Sequence, residues 1–307
     1  MNPIQIVSLN ISDHKGTAKI HKERIIITKN GIVGDAHFGL KNRQISMLGK
    51  NNAYRSIEQA ANNNFGYFGE NITIDVLPES IAILDRFVSD EVMLEVCQIG
   101  KQSRVGEATI NKEGHLPQEG IFCRVLKAGT LKTADTFRYI PKVYSVKIIT
   151  MSDRAFEGVY EDKSGKELID QTEVFFALSK RKLNIEKIVL PDDSVLLTNK
   201  IKEYIDNEVD IIFTTGGTGI GPRDITPDVI KPFLEKELDG LMDFIRLKYG
   251  AVNYNAIISR SIAGVSKKTL IYCLPGSVKA VHEYFAEIKH TLFHSSNMIN
   301  DIDKHSS

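Results

Sequence analysis

The segment 211–228 constrains the fold of this chain most, because an apolar run leads there into a cluster of glycines. The run Ile211–Phe213 is short, β-branched and aromatic, which is typical of a buried strand. The glycines follow at 214–221, in the sequence TTGGTGIG. Thr226 and Pro227 then suit the start of a helix, since threonine can cap it and proline fits its first turn. The pattern predicts a strand that ends in a glycine-rich loop and feeds a helix.

Such a loop has the chemistry of a phosphate site. Glycine lets the backbone approach a ligand closely, and loop N–H groups beside threonine hydroxyls suit phosphate oxygens. Arg223 adds a planar donor fork, and Asp224 and Asp228 add the hard oxygen ligands that Mg²⁺ prefers. A tight turn without a ligand is the alternative for the glycines alone. The segment has neither the dinucleotide-binding glycine pattern nor the Gly-Lys-Ser/Thr of a P-loop.

Other strands predicted in the second half also end in polar residues or glycine. The runs at 146–150, 185–190 and 270–274 are apolar and β-branched. They lead, in that order, to Ser152 and Asp153, to Asp192 and Asp193, and to Pro275, Gly276 and Ser277. Open α/β sheets bind ligands at the carboxyl ends of parallel strands. These residues are therefore expected on one face with the glycine-rich loop.

Helical patterns separate these strands. Helices are predicted at about 164–181, 194–205, 226–237 and 240–249, and a last helix begins at Ser277. Ser164–Glu167 has the spacing of a capping box. Strands that alternate with helices predict an α/β domain with a doubly wound, mostly parallel sheet.

The first half has a different sequence pattern, in which short apolar segments alternate with glycine, asparagine, aspartate and proline. Strands are predicted at 4–9, 24–27, 44–48, 71–74, 92–96 and 120–126, with one helix near 51–64. This pattern favours a mainly antiparallel β barrel or sandwich. Arg138–Lys142 is the only plausible join, which predicts two domains, residues 1–141 and residues 142–307.

Composition bears on the class of partner. The 307 residues carry 39 Lys and Arg against 39 Asp and Glu, so no global charge favours nucleic acid or a membrane surface. No apolar stretch is long enough to cross a bilayer, and the N-terminus lacks the pattern of a secretory signal. Cys97, Cys123 and Cys273 are too widely spread for a disulfide framework or a metal cluster. A cytoplasmic protein is expected.

Four separated motifs in the second half resemble the molybdopterin-binding family, which includes the Mog-type molybdopterin adenylyltransferases. They are MSDRAFEGVYEDKSG at 151–165, LPDD at 190–193, the sequence TTGGTGIGPRDITPD that starts at Thr214, and LPGSVKAV at 274–281. The resemblance covers roughly residues 143 to 300, and the motifs occur in the order expected for the family.

The resemblance implies roles for individual residues. Asp192 and Asp224 would be catalytic and would bind Mg²⁺ with Asp228. Substrate and phosphate contacts would come from Thr215, Gly216, Gly217, Thr218, Gly219, Arg223, Ser152, Asp153, Pro275, Gly276 and Ser277. A helix cap or a solvated carboxylate is the alternative for each aspartate, and for Asp193 the cap is preferred. A salt bridge is the alternative for Arg223.

The implied reaction is adenylylation of molybdopterin. The terminal phosphate of molybdopterin attacks the α-phosphorus of ATP and gives adenylyl-molybdopterin and pyrophosphate. One alternative is the next step, molybdate insertion with release of AMP, and another is a carrier without catalysis. The resemblance also implies a homotrimer formed through the second half and a molybdate-insertion enzyme as a downstream partner.

The first half resembles the MOSC domain of molybdenum cofactor sulfurases. The matching stretches are Gly31–Gly39, Arg43–Ser46, Phe68–Thr73, Leu94–Lys101 and Gly120–Leu126. The resemblance implies that this domain binds a pterin or a form of the cofactor. Ser103 stands where MOSC domains typically carry a cysteine, and a hydroxyl cannot do thiolate chemistry at neutral pH. Sulfur transfer is therefore not expected.

Basic residues of the first half are candidate contacts for an anion. These are Arg43, Lys101 and Arg104 with Ser103 beside them, and Arg124 further along. Solvated surface arginines are the alternative. Cys97 and Cys123 lie within apolar strand patterns and are expected to be buried small hydrophobic residues.

Overall fold

The computed structural model describes residues 3–53, 65–100 and 119–302. These residues form two compact units, and the chain passes from one to the other between Lys142 and Val143. Unit 1 below means the described residues up to Lys142, and unit 2 means those from Val143 onwards.

Unit 1 is built on a closed β barrel. Its strands are β1 Ile4–Ile11, β2 Ile20–Lys22, β3 Arg24–Thr28, β4 Gly31–Ile32, β5 Ile45–Gly49, β6 Ile72–Ile74, β7 Arg86–Val88, β8 Met93–Ile99, β9 Ile121–Lys127, β10 Gly129–Lys132 and β11 Thr136–Ile140. Among the described residues, seven strands close the ring in the order β1, β11, β7, β8, β9, β5, β6. Every neighbouring pair in the ring is antiparallel except β5 with β6. Of the two predicted alternatives, a barrel or a sandwich, the structure shows a barrel.

The core of this barrel follows from residue alternation along the strands. In β1, for example, Ile4 and Ile6 are buried while Gln5 between them is exposed. Such inward side chains from successive strands form one apolar cluster. Closing the ring leaves its strands without free edges, which removes a route to aggregation.

A buried ion pair lies within unit 1. Lys19 Nζ contacts Asp35 Oδ2 at 2.6 Å, and both side chains are almost fully buried. Asn71 Nδ2 also donates to Asp35 Oδ2, at 2.8 Å. Burial alone would raise the pKa of Asp35, but hydrogen bonds from His37 and the charge of Lys19 hold that pKa well below its ordinary value. The carboxylate is therefore charged inside the unit and depends on its partners.

Unit 2 is an α/β fold. Helix α1, Lys50–Ala53, belongs to unit 1. The elements of unit 2 are β12 Val143–Met151, α2 Asp153–Phe156, α3 Lys163–Leu178, β13 Lys182–Leu190, α4 Ser194–Asp206, β14 Ile211–Thr215, α5 Thr226–Ile230, β15 Lys236–Glu237, α6 Asp239–Gly250, β16 Ala263–Ser266, β17 Thr269–Leu274 and α7 Val278–Ile299. The sheet order is β13, β12, β14, β17, β16, β15. The first four strands are parallel, and β16 and β15 are antiparallel additions.

Helices cover both faces of this sheet. Along β12, Ile148 packs into a cluster with residues of α3, α6 and α7, whereas the next residue, Ile149, packs into a cluster with residues of α4 and α5. Alternate strand residues thus feed two separate cores. The mostly parallel, doubly wound sheet is as the sequence predicts.

Several predicted boundaries are corrected. The helix expected at 226–237 ends at Ile230 and continues as a 3₁₀ turn at Lys231–Phe233, because Pro232 has no N–H to donate. The helix expected to start with a capping box at Ser164 starts at Lys163, capped by Asp162. Of the segment 51–64, where a helix is expected, residues 51–53 belong to α1 and residues 54–64 lie outside the described residues. Within the described ranges, no helix is long and apolar enough to cross a membrane.

Candidate phosphate-binding site

The ends of three parallel strands of unit 2 meet at one cavity. Met151 of β12 pairs with Leu190 of β13, and Thr150 pairs with Thr215 of β14, so the loops that follow these strands lie side by side. The cavity has a volume of about 270 Å³. Its walls are Met151, Ser152, Asp153 and Arg154 after β12, Asp192 after β13, and Gly217, Gly221, Pro222, Arg223 and Asp224 after β14. Predicted residues from three loops are therefore brought together.

Three carboxylates share this cavity. Burial raises the pKa of Asp192, and the negative charges of Asp153 and Asp224 add to the effect, while Arg223 opposes it. A raised pKa means that the site disfavours the negative charge of Asp192 in the absence of further cations. A cation placed among these groups would relieve the repulsion between them.

Asp153 ties the first loop to the other two. Its Oδ1 accepts a hydrogen bond from the backbone N–H of Asp192 at 2.8 Å, and its Oδ2 pairs with Nη1 of Arg223. The side chain of Arg223 is 72% exposed, so its other donors are open to solvent. The salt bridge that the sequence left open for Arg223 is present, with Asp153 as the partner.

The glycine-rich loop is shaped by close backbone approach. Gly216 has φ +102°, and a Cβ there would lie 2.3 Å from the carbonyl oxygen of Met151. Gly217 has φ +63° and lines the cavity. Gly276 packs behind the loop, where its own Cβ would lie 3.1 Å from the Cα of Gly216. Two of the predicted glycines are thus required by left-handed backbone geometry.

The threonines of the loop hold its backbone. Thr215 Oγ1 donates to the carbonyl oxygen of Pro275 at 2.9 Å, and Thr226 Oγ1 donates to that of Gly216 at 2.9 Å. Thr215 and Thr218 are both buried, and neither lines the cavity. Their expected phosphate contacts stay predictions, and what is observed is a bracing role for Thr215.

Two serines cap helices beside the cavity. Ser152 accepts from the backbone N–H of Ala155 at the start of α2 and also lines the cavity. Ser277 accepts from the backbone N–H of Ala280 at the start of α7. Asp193 caps α4 by accepting from Val195 and Leu196, as preferred from the sequence, and its neighbour Asp192 faces the cavity.

Asp228, unlike the other two predicted metal ligands, does not line the cavity. Its two carboxylate oxygens accept from Nη1 of Arg260 at 2.8 and 2.9 Å. The sequence patterns did not predict Arg260, because it lies in a stretch without a recognisable element and reaches the loop only through the fold. Arg154 also lines the cavity. It lies within the motif at 151–165, but no role was predicted for it.

The cavity offers few carboxylates as ligands for a magnesium ion. The described residues contain no group of three or more His, Cys, Asp or Glu side chains arranged to hold a metal ion. Asp192 and Asp224 nevertheless share the cavity wall. Magnesium in phosphate-handling sites is commonly held by one or two carboxylates and the phosphates of the substrate. The donor set suits an ion that arrives with a nucleotide.

The residues predicted as anion contacts in unit 1 either contact other side chains or lie outside the described residues. The guanidinium of Arg43 lies 4.6 Å from the ring centroid of Phe122, and Nη2 of Arg124 donates to Glu95 at 2.6 Å. Lys101, Ser103 and Arg104 lie outside the described residues. Cys97 and Cys123 are buried, and burial raises the pKa of Cys97 to about 11, which keeps it a thiol.

Comparison with known proteins places unit 2 in a family. Residues 147–294 match the family described as "Probable molybdopterin binding domain". The molybdopterin adenylyltransferase of Pyrococcus furiosus is 36% identical over 158 residues, which cover 50% of this chain and 90% of that protein. The probable molybdopterin adenylyltransferase of Methanocaldococcus jannaschii is 35% identical over 155 residues, with coverage of 48% and 88%.

A longer relative matches the same share of this chain. The molybdenum cofactor synthesis protein cinnamon of Drosophila melanogaster is 37% identical over 158 residues, which cover 50% of this chain and 25% of that protein. The fold and the cavity define an α/β protein with a polar site at the ends of parallel strands. The chain belongs to the molybdopterin-binding domain family, and it is an enzyme of the kind found there.

Proposed function

We propose that unit 2 adenylylates molybdopterin with Mg²⁺ and ATP, as a step of molybdenum cofactor biosynthesis. One observation carries the proposal: Asp192, Asp224, Arg223 and the glycine-rich loop line a single cavity at the ends of parallel strands. The names of the two adenylyltransferase relatives support the same reaction. The products would be adenylyl-molybdopterin and pyrophosphate.

The chemistry asks for positioning and charge compensation. The attacking group is the terminal phosphate of molybdopterin, which is already an anion, so no side chain has to remove a proton from it. Two anionic substrates must be held in line against their mutual repulsion. Backbone N–H groups of the loop and the guanidinium of Arg223 would bind their oxygens in fixed positions.

Asp192 and Asp224 would hold the magnesium ion together with substrate phosphates. When bound, the ion supplies positive charge that stabilises the phosphates and the departing pyrophosphate. Positive charge there would also favour the ionised form of Asp192, whose pKa is raised by burial and by the neighbouring carboxylates. Arg223 would give up its contact with Asp153 and bind a phosphate oxygen instead. Its side chain is 72% exposed, so its donors are accessible to a substrate.

Turnover with defined substrates tests the reaction. Purified full-length chain is mixed with molybdopterin, ATP and Mg²⁺, and pyrophosphate is measured while the pterin product is identified by mass spectrometry. Adenylyl-molybdopterin equal in amount to pyrophosphate is expected. A carrier would bind molybdopterin and release no pyrophosphate, and that result would replace the proposal with the carrier function.

Replacement of Asp224 tests its role. Asp224→Asn keeps the shape of the side chain and an oxygen that can accept from Gly221, but it removes the charge. We expect kcat/KM for ATP to fall at least about 100-fold, which corresponds to about 2.7 kcal/mol of transition-state stabilisation. Turnover close to wild type would show that Asp224 does not hold the ion.

We also propose that unit 1 is MOSC-like and binds a pterin or a form of the cofactor. The closed barrel and its own apolar core support a separately folded unit. Calorimetric titration of residues 1–142 with molybdopterin is expected to show binding. A flat titration with a folded fragment, confirmed by circular dichroism, would remove this role.

The family resemblance leads us to propose two partners as well. One is a second and third copy of the chain, in a homotrimer formed through unit 2. The other is an enzyme that takes adenylyl-molybdopterin and inserts molybdate. Sedimentation equilibrium of the full chain tests the first proposal, and a monomer at micromolar concentration would contradict it.

A further inference from the structure

Arg260 makes an unusual set of contacts with the glycine-rich loop. Its backbone N–H donates to the carbonyl oxygen of Thr218 at 2.9 Å, and its Nε donates to that of Gly219 at 2.7 Å. Nη2 donates to the carbonyl oxygen of Asp224. One guanidinium thus binds the backbone at both ends of the segment 219–224.

That segment carries groups of the candidate site. Gly221, Pro222, Arg223 and Asp224 all line the cavity. Within the segment, the N–H of Gly221 donates to Asp224 Oδ2 at 2.8 Å, and the N–H of Asp224 donates to the carbonyl oxygen of Gly221 at 3.0 Å. These bonds are local, so they shape the turn but do not fix where it sits. The contacts of Arg260 connect the turn to another part of the fold.

Asp228 completes the arrangement from α5. Both of its carboxylate oxygens accept from Nη1 of Arg260, at 2.8 and 2.9 Å. A charge-assisted pair of this kind orients the planar guanidinium, and the other two nitrogens then point at the two carbonyls. The geometry therefore gives Asp228 a task other than holding a metal.

We propose that Arg260 is a positioning residue that holds the segment 219–224 in place, with Asp228 as its anchor. The proposal rests on the function proposed above, because its benefit is to fix Arg223 and Asp224 before the substrates bind. Arg260 itself does not line the cavity. Its effect on turnover passes through the loop.

Arg246 offers a matched control. Its Nη1 donates to the carbonyl oxygen of Ser261 at 2.7 Å, and its Nη2 donates to Asp243 Oδ1 at 2.7 Å. It therefore combines a backbone contact with an aspartate pair, as Arg260 does, and it lies outside the cavity wall. Arg246→Ala controls for the general loss of such an arginine.

Amide hydrogen exchange of the full chain without ligands is the first test. The amides of Gly221, Asp224 and Thr226 are hydrogen-bonded within the loop and report its opening. In Arg260→Ala we expect them to exchange at least about 10-fold faster, because bonds from a charged donor are lost. In Arg246→Ala they are expected to stay within about 3-fold of wild type. Equal exchange in the two variants would overturn the proposal.

Variants of the same site keep the test decisive. Arg260→Lys retains a charge for Asp228 but cannot span two carbonyls, so its loop is expected to exchange nearly as fast as that of Arg260→Ala. Slow, wild-type exchange in Arg260→Lys would show that the fork is not needed. If Arg260→Ala does not fold, Arg260→Lys alone carries the comparison with Arg246→Ala.

Kinetics separate positioning from general destabilisation. We expect Arg260→Ala to lose at least about 10-fold in kcat, with Arg246→Ala near wild type, and millimolar guanidinium to restore part of the loss only in the first variant. Asp228→Asn is expected to loosen the loop and to shift the dependence on Mg²⁺ concentration no more than Arg260→Ala does, because both variants release the segment that carries Asp224. A magnesium dependence shifted clearly more in Asp228→Asn than in Arg260→Ala would assign Asp228 to the metal and contradict the anchor role.

The two proposals fail in different ways. Exchange is measured without ATP or molybdopterin, so it judges Arg260 even if wild-type protein releases no pyrophosphate. Absence of pyrophosphate from wild type would overturn the proposed reaction. Unchanged loop exchange in both Arg260 variants would overturn the positioning role while leaving the reaction in place.

Discussion

Gly216 lies where three pieces of backbone meet. Its N–H donates to the carbonyl oxygen of Leu274 at 3.0 Å, a Cβ would strike the carbonyl of Met151, and Gly276 packs against its Cα. The left-handed φ angle adds a second reason for glycine. Because residue 216 has no side chain, the loop after β14 can pack closely against the ends of β12 and β17.

Substitution of Gly216 tests that dependence. Gly216→Ala is expected to lower the free energy of unfolding by at least about 2 kcal/mol, since strain and a backbone clash combine. Gly240, in α6, has nothing within 4 Å of a built Cβ, so Gly240→Ala is expected to raise stability by up to about 1 kcal/mol. Urea unfolding of both variants makes the comparison, and an equal effect would contradict the structure of the loop.

The buried pair in unit 1 permits a second test. Asp35→Asn leaves Lys19 charged and buried without its partner, so we expect a loss of about 3 to 5 kcal/mol. The double variant Lys19→Met with Asp35→Asn should recover much of it. Asp170→Asn, which breaks the exposed pair with Lys166 in unit 2, should leave hydrogen exchange in β1 and β6 unchanged. Hydrogen exchange in β1 and β6 reports unit 1 specifically.

At the scale of elements, α3 shows how side chains decide where a helix begins. Asp162 Oδ1 accepts from the N–H of Gly165 at 2.8 Å, and Oδ2 accepts from Lys187 at 2.8 Å and from Thr150. The sequence contains a capping-box pattern two residues later, but the fold supplies Asp162 with a lysine from β13. Because that partner is distant in the chain, the start of α3 could not be read from local spacing.

The pH dependence of stability tests Asp162. Burial would raise its pKa, but the hydrogen bond and charge of Lys187 lower the pKa below the ordinary value of 3.8. The unfolded state therefore takes up a proton first as pH falls, so this stabilisation is present above about pH 5 and is lost as pH drops through the folded pKa. Asp162→Asn should make the acid-induced loss of stability smaller than in wild type, measured by urea unfolding between pH 6 and 3. Parallel pH curves for variant and wild type would contradict this assignment.

At the scale of the whole molecule, each unit has its own apolar core. The barrel cluster belongs to unit 1, and the two clusters on either face of the sheet belong to unit 2. Separate cores are the property that lets domains fold independently. The reaction proposed here uses only residues of unit 2.

A shortened chain tests that separation. Residues 143–307 are expected to fold and to release pyrophosphate with kcat within about 3-fold of the full chain, because the cavity wall comes entirely from this part. Circular dichroism first establishes that the shorter chain is folded. A folded fragment without turnover would show that unit 1 takes part in the chemistry.

Sequence patterns predicted most of this architecture but only part of the site. Period-2 patterns predicted strands such as β3, and apolar runs before polar loops predicted which strand ends would meet. The cavity brings Asp192 and Asp224 together with Gly217, as expected from the ends of parallel strands. Whether these residues act as proposed stays a prediction.

The rest depended on contacts between distant residues. Arg260 follows Asp228 by many residues, and only folding brings the two together, so nothing in the local sequence marked Asp228 as an arginine partner. β15 and β16 were also missed, because short strands at the end of a sheet owe their form to the neighbour that pairs with them. These misses share one cause, which is tertiary context.

The central claim is that Asp192 and the glycine-rich loop form one catalytic cavity, and the adjacent Asp193 provides the control. Asp192 lines the cavity, whereas Asp193 caps α4. Turnover of Asp192→Asn and Asp193→Asn with ATP, Mg²⁺ and molybdopterin is therefore the most direct measurement. We predict that Asp192→Asn loses at least about 100-fold in kcat/KM while Asp193→Asn stays within a few-fold of wild type. Turnover of Asp192→Asn near wild type, or equal losses in both variants, would contradict the claim.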